Sequence, residues 1–187
     1  MLANPETTMT PQQYLEWEPT QELRYEYVNG EVFAMTGGTI AHNTIAVNLV
    51  TALKNHLRGG SCQVFIADVK VKVSQNGPFF YSDIMVTCDA RDKDAVQVIQ
   101  YPGLIIEVLS PSTEAYDRGA KFAHYRKLST LQEYVLIEAE KVGVDCYHRT
   151  SNSRWEYQPY TTDEEVEFES IDLRCAIKLL YEDVRFS

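Results

Sequence analysis

The chain has 187 residues, 44% of them hydrophobic and 24% charged, with a formal net charge of -10. That length and apolar fraction suit one domain with its own core and exclude wholesale disorder, and no apolar run is long enough to span a bilayer. The acidity, taken alone, argues against a protein that coats nucleic acid non-specifically, because phosphate binding needs clustered Lys and Arg.

The charge is unevenly spread: residues 1–39 carry one base and six acids, and residues 129–187 six bases and thirteen acids. The one local basic excess is residues 111–128, with four bases against two acids. The start, Met1-Leu2-Ala3-Asn4-Pro5-Glu6, has neither the basic segment nor the apolar run of a signal peptide, which points to a cytoplasmic protein. Cys62, Cys88, Cys146 and Cys175 are widely spaced with no C-x-x-C pair, and they read as reduced thiols rather than zinc ligands.

In chain order, Thr10-Pro11 opens a short capped helix. Arg24–Val28 and Val32–Met35 flank Asn29-Gly30, a strong hairpin signal. Ile45, Leu49, Ala52 and Leu53 lie on one stripe of a helix from Ile40 to Leu57, which Gly59-Gly60 ends. Val64 to Val73 alternates as a strand, Asn76-Gly77 turns the chain, and Phe79 to Thr87 reads as the next strand. Leu104 to Leu109 reads as a strand buried on both faces, followed by a turn at Pro111-Ser112-Thr113 and a helix from about Ala115 to Leu128. Tyr134–Ile137 is another strand, Val142–Tyr147 and Trp155–Tyr160 form an added hairpin, and an acidic tail closes the chain. Meandering strands next to a helical crossover imply a mixed sheet flanked by helices, an α/β fold.

Glu107 is the feature that needs explaining, because a carboxylate inside a core strand is costly without a cation or donors beside it. Asp83 sits on the preceding strand, and carboxylates on neighbouring strands can converge on Mg²⁺ or Mn²⁺. Each acid also has a bland reading, as a partly exposed strand residue or half of a structural ion pair. Asp117, Lys121 and Tyr125 are four apart on the following helix; an inward Lys121 could polarise a phosphate or orient an attacking water, but spacing alone favours an Asp117–Lys121 surface pair, which contributes little. His42, opening the long helix, could be a base or a phosphate contact, but a lone His is more often structural. Glu26 and Glu31, bracketing Asn29-Gly30, read as solvated hairpin residues. Ser110, Ser112 and Thr113 lack a G-x-S-x-G elbow and read as turn and cap residues.

The run Glu107-Val108-Leu109-Ser110-Pro111-Ser112-Thr113, then Tyr116-Asp117-Arg118-Gly119, Lys121, Tyr125-Arg126 and Glu133-Tyr134, closely resembles the domain-of-unknown-function 820 family. That family is regarded as nucleases with the restriction-endonuclease-like fold. Tyr25–Glu31, His42 and Tyr81-Ser82-Asp83 fit the same family in order, so the resemblance covers nearly the whole chain.

It implies a PD-(D/E)XK arrangement in which Asp83 and Glu107 bind the metal. Ser82 stands where the motif has proline, and Leu109 where it has lysine; the resemblance gives the lysine's role to Lys121. Glu31 is then an accessory acid and His42 a rim residue. The implied organisation is one domain over residues 1–187, with an N-terminal helix and hairpin (1–39), a catalytic core (40–138) and a C-terminal hairpin and tail (139–187).

The implied activity is Mg²⁺- or Mn²⁺-dependent phosphodiester cleavage, with DNA favoured over RNA. Lys70, Lys72, Arg118, Arg126 and Lys127 are the candidate phosphate contacts, and a homodimer is one arrangement the resemblance allows. The rival reading is a catalytically inactive module on a nuclease scaffold that binds or bridges partners, which the negative charge and the missing strand lysine favour.

Overall fold

A computed structural model describes residues 8–35 and 37–186; the Met1–Glu6 segment lies outside them. Helix α1 (Pro11–Trp17) starts with a full capping box: Thr10 Oγ1 accepts from the Gln13 amide, and the Gln13 side chain accepts from the Thr10 amide. A 3-10 turn, Glu18–Thr20, follows. Strands β1 (Tyr25–Val28) and β2 (Glu31–Ala34) pair through Asn29-Gly30. Both turn residues have positive φ, 52° and 97°, as a two-residue hairpin of matching twist demands. Helix α2 (Ile40–His56) is capped by Thr39 and buries Ile45, Leu49 and Leu53.

The expected strands Val64–Val73 and Phe79–Thr87 are each broken in two. They divide into β3 (Gln63–Ile66) and β4 (Lys70–Lys72), and into β5 (Phe79–Tyr81) and β6 (Ile84–Thr87). The two breaks face each other. Ala67, at φ 35°, donates its amide to the Asp83 carbonyl at 3.1 Å. Alternation alone cannot reveal this, because the apolar period continues through both breaks while the chain changes sheet.

The remaining elements are β7 (Val98–Ile99), β8 (Leu104–Leu109), α3 (Glu114–Tyr116), a π-helical turn (Asp117–Lys121), α4 (Phe122–Tyr125) and β9 (Glu133–Glu138). After them come β10 (Val144–Arg149), β11 (Trp155–Tyr160), β12 (Glu165–Phe168), β13 (Leu173–Ala176) and α5 (Ile177–Leu180). The helix expected over Ala115–Leu128 is therefore interrupted by a π turn and ends at Tyr125.

Strands β11-β10-β9-β8-β6-β3 form a mixed six-stranded sheet, in which β8 and β9 run parallel, joined by the α3–α4 crossover, and the other neighbours run antiparallel. A five-stranded sheet has the order β2-β1-β5-β4-β7, and β12 pairs with β13. Period-two alternation sorts the six-stranded sheet into two cores. Leu104, Ile106 and Val108 join Val135, Ile137 and the α2 stripe, and Val166, Phe168 and Leu180 from the C-terminal segment cover the same face. Ile105, Leu109, Tyr134 and Leu136 meet Phe122, Tyr125 and Leu128 on the other face. Glu107 shares the parity of Ile105 and Leu109, so it points to the crossover side.

The cysteine reading also needs correction. Cys62 and Cys88 form a disulfide just beyond the Gln63–Thr87 pair that ends the β3–β6 ladder. Their separation of 26 residues conceals this cross-strand adjacency. Cys146 and Cys175 are free and buried. Among the described residues no helix is long and apolar enough to cross a membrane.

Candidate active site

Where β6 and β8 separate, their ladder ends at Ile84–Ile106. Two carboxylates take over from the missing backbone pairs. The Asp83 amide donates to Glu107 Oε2 at 3.2 Å, and the Val108 amide donates to Asp83 Oδ2 at 2.7 Å. Each acid thus satisfies an amide that the splayed strands would leave orphaned. Both line a cavity of about 320 Å³, together with Glu26, His42, Asp117 and Lys121.

Lys121 lies at the cavity's inner wall with its side chain only 7% exposed. Its Nζ is 3.0 Å from Glu107 Oε1, 3.2 Å from Glu26 Oε1 and 3.7 Å from Asp117 Oδ1, and it donates to the Tyr81 carbonyl at 3.1 Å. The π turn delivers this lysine to the sheet, with Asp117 and Lys121 both buried in it; such turns recur at functional sites. The Asp117–Lys121 pair is therefore an interior contact rather than a surface one. Tyr125 adds a hydroxyl bond to Glu107 Oε1 at 3.2 Å.

The electrostatics are unbalanced. Glu26, Asp83, Glu107 and Asp117 bring four carboxyl groups to a cavity whose only lysine or arginine among the described lining residues is Lys121. Burial pushes Glu107 well above the usual carboxylate range, with Lys121 opposing and Asp117 and Asp83 reinforcing the rise. Burial likewise raises Glu26 and Asp117, against the pull of Lys121. For Lys121, burial lowers the pKa, but Glu107, Glu26 and Asp117 outweigh it and hold the ammonium charged well above its ordinary value. His42 Nε2 is 3.2 Å from Asp83 Oδ2. Burial pulls its imidazole down, and the bond to and charge of Asp83 more than offset that.

The donor set fits a hard divalent cation. Asp83 uses Oδ2 for its protein contacts, its side chain is 23% exposed, and its Oδ1 has no hydrogen bond from the described residues. One or two carboxylates with the remaining positions left to water is the usual provision for Mg²⁺, and the surplus of buried acid is what such an ion would neutralise.

Asp83, Glu107, Lys121 and His42 are brought together here; Glu31 is not. It is exposed at the start of β2 and does not line the cavity, whereas Glu26 on β1, 2% exposed, does. The inner hairpin strand, β1, which pairs with β5, and not the outer strand β2, reaches the site. Glu26 carried the same sign as Glu107, an acid between apolar strand residues, here Tyr25 and Tyr27.

Two of the expected phosphate contacts are also committed elsewhere. Lys70 is buried against Glu18 Oε2 at 2.6 Å and the Tyr81 hydroxyl at 3.1 Å. Arg118 is bound by Glu114 at 2.8 Å, Glu138 at 2.7 Å and Asp145 at 2.5 Å, which ties the crossover to β9 and β10. Arg126 and Lys127 are exposed and Lys72 half-buried, but none of the three lines the cavity.

A mixed sheet flanked by helices, with acids at the mouth of its diverging strands, defines an α/β protein of the restriction-endonuclease-like kind. The chain belongs to the Uma2 family, described as "Putative restriction endonuclease", which it matches over residues 11–178. It is similar to two proteins of Synechocystis sp. (strain PCC 6803). One, "Uncharacterized protein slr1290", is 40% identical over 178 residues, covering 95% of this chain and 94% of that one. The other, "Uncharacterized protein sll1609", is 28% identical over 149 residues, covering 79% and 84%. The fold matches the crystal structure of "a putative nuclease belonging to DUF820" from Anabaena variabilis ATCC 29413, with a TM-score of 0.78, 20% identity, and coverage of 93% of this chain and 98% of that one. At that identity the likeness speaks for the fold, and it agrees with the family resemblance carried by the Glu107-to-Lys121 block.

Proposed function

We propose that the protein is a divalent-metal-dependent nuclease that hydrolyses phosphodiester bonds, with DNA as its substrate. The observation that carries this reading is the convergence of Asp83, Glu107 and Lys121 on one cavity, although Lys121 comes from a helix and not from the strand position that Leu109 occupies. Asp83 and Glu107 are the residues that would hold Mg²⁺ or Mn²⁺. Such an ion supplies Lewis-acid polarisation of a phosphate oxygen and a bound water of lowered pKa.

Lys121 acts as a fixed positive charge. The carboxylates around it keep it protonated, so its part is to stabilise charge developing on the phosphate rather than to take a proton. Glu26 and Asp117 hold the ammonium in place from two sides. His42, bonded to Asp83, fixes the orientation of that carboxylate and leaves Oδ1 facing the cavity.

The acidic surface and the commitment of Lys70 and Arg118 to internal pairs favour a second reading, a module that binds a partner without cleaving it. One experiment separates the two: cleavage of plasmid and oligonucleotide substrates with Mg²⁺ or Mn²⁺ by the wild type, Asp83→Ala and Glu107→Ala. The nuclease reading expects cleavage by the wild type alone. Equal activity in all three would assign the cleavage to a contaminant or another site, and binding without cleavage would favour the module.

A further inference from the structure

On the sheet face opposite Glu107, a second set of metal-ligand side chains converges. In the β9–β10 pair Glu133 lies directly across from His148, and Cys146, two residues before His148, points to the same face. One donor atom from each of Glu133, Cys146 and His148 lies within 4.8 Å of the others. Sequence spacing could not show this, because antiparallel register and not a C-x-x-C step brings the three together.

The independent observation is that two of these donors are stranded. Glu133 is 0% exposed. Its Oε2 accepts from the Ser170 amide at 3.0 Å and the Ser170 hydroxyl at 2.5 Å, while Oε1 has no hydrogen-bond partner. His148 Nδ1 has none either, although it stands 3.4 Å from Glu133 Oε1. Buried polar atoms are rarely left unpaired, and each costs free energy when it is. Here two of them face one point beside a buried thiol.

We infer that Glu133, Cys146 and His148 form a binding site for a borderline-soft divalent cation of the zinc class, separate from the cavity around Asp83 and Glu107. Carboxylate oxygen, imidazole nitrogen and thiolate sulfur are the ligand types Zn²⁺ takes, usually four in a tetrahedron. Glu169 Oε2, 3.8 Å from His148 Nδ1 on a side chain 62% exposed, is placed to supply a fourth ligand from the solvent side. Ser170 holds Glu133 in orientation, as outer-shell donors do at metal sites. Burial keeps the Cys146 thiol protonated without metal; on binding, the S–H bond breaks, a sulfur–metal bond forms and one proton leaves to solvent. Because Ser170 and Glu169 belong to the turn between β12 and β13, the ion would staple the C-terminal hairpin to the central sheet.

The test is titration of the chelator-treated full-length chain with Co²⁺, followed by Zn²⁺ displacement. One equivalent of Co²⁺ giving a thiolate-to-metal absorption band, with Zn²⁺ abolishing it and raising the thermal midpoint, is the expected result. Cys146→Ser should lose the band, and Asp83→Ala should keep it. A folded wild type without the band overturns the site, as does a band that survives Cys146→Ser or disappears in Asp83→Ala. The wild-type spectrum decides the matter even where a variant fails to fold.

Discussion

Two lysines are buried among the described residues, and they are not alike. Lys70 faces one carboxylate, Glu18, and both bond the Tyr81 hydroxyl, Glu18 Oε1 accepting at 2.8 Å. Charge is matched one to one, and the cluster is closed to solvent. Lys121 faces three carboxylates at the wall of an open cavity, with a fourth, Asp83, beyond Glu107. A matched pair is complete as it stands and holds the 3-10 turn after α1 to the five-stranded sheet. An unmatched one carries a surplus of buried acid that favours any cation able to enter. Burial of a lysine is thus no sign of function by itself; the local imbalance of charge is.

The largest expected effects come from removing each ammonium in turn. Lys121→Met should lower cleavage by about a hundred- to a thousandfold, the usual cost of losing one preorganised stabilising charge. The fold should survive, because Glu26, Glu107 and Asp117 already bind protons more tightly than free carboxylates and can neutralise themselves. Lys70→Met should do the reverse: cleavage near wild type, with stability reduced by about 3–5 kcal/mol because Glu18 is left buried and unpaired. Replacing both partners, Glu18→Met with Lys70→Met, should restore most of that loss. Denaturant melts beside cleavage rates check all three. A loss of cleavage in Lys70→Met at full stability would erase the distinction.

The same imbalance predicts a pH signature. Glu26 has a folded pKa above its ordinary 4.5, chiefly through burial, so the folded state binds its proton more tightly than the unfolded chain does. Stability measured with chelator present should therefore fall as pH rises from 4.5 through the folded value. Glu26→Gln should flatten that decline while leaving the Lys70–Glu18 cluster untouched. An unchanged slope would mean that Glu26 is ionised without cost and the cavity is not acid-rich in effect.

Much of this was legible in the sequence, for reasons that differ by residue. The Asn29-Gly30 hairpin, the Thr10 cap and the α2 stripe are local, set by turn geometry, one side chain and helical period. Glu107 stood out because a charge interrupts an apolar run. Lys121 needed the family resemblance: a regular helix would place it by spacing, but a π turn sets its direction. Glu26 escapes a local reading because a hairpin strand reads as solvated, whereas the β5 backbone at Tyr81 and Lys121 of the π turn enclose it. Glu31 shares that face through its pairing with Val28, but it sits beside the turn at the exposed start of β2, away from the cavity. The sheet change at Ala67 and Asp83, the Cys62–Cys88 bond and the Glu133–Cys146–His148 cluster all depend on cross-strand register, which no single segment encodes.

The smallest effect is expected where the two lysine clusters meet. Tyr81 serves both: its hydroxyl bonds Lys70 and Glu18, its amide donates to Glu26 at 3.1 Å, and its carbonyl accepts from Lys121. Two residues on, Asp83 belongs to the cavity alone. Ser82 between them is 1% exposed, and its hydroxyl has no partner. The family resemblance sets it at the position of the motif's proline, a residue with no polar side chain to satisfy. Ser82→Ala removes a buried donor that gains nothing, so it should raise stability by up to about 1 kcal/mol and leave cleavage unchanged, since the carboxylate of Asp83 and not its neighbour faces the cavity. Should Ser82→Ala instead slow cleavage, the hydroxyl would have to be counted with the cavity, and the boundary between the closed cluster and the open one would move from Asp83 back to Ser82.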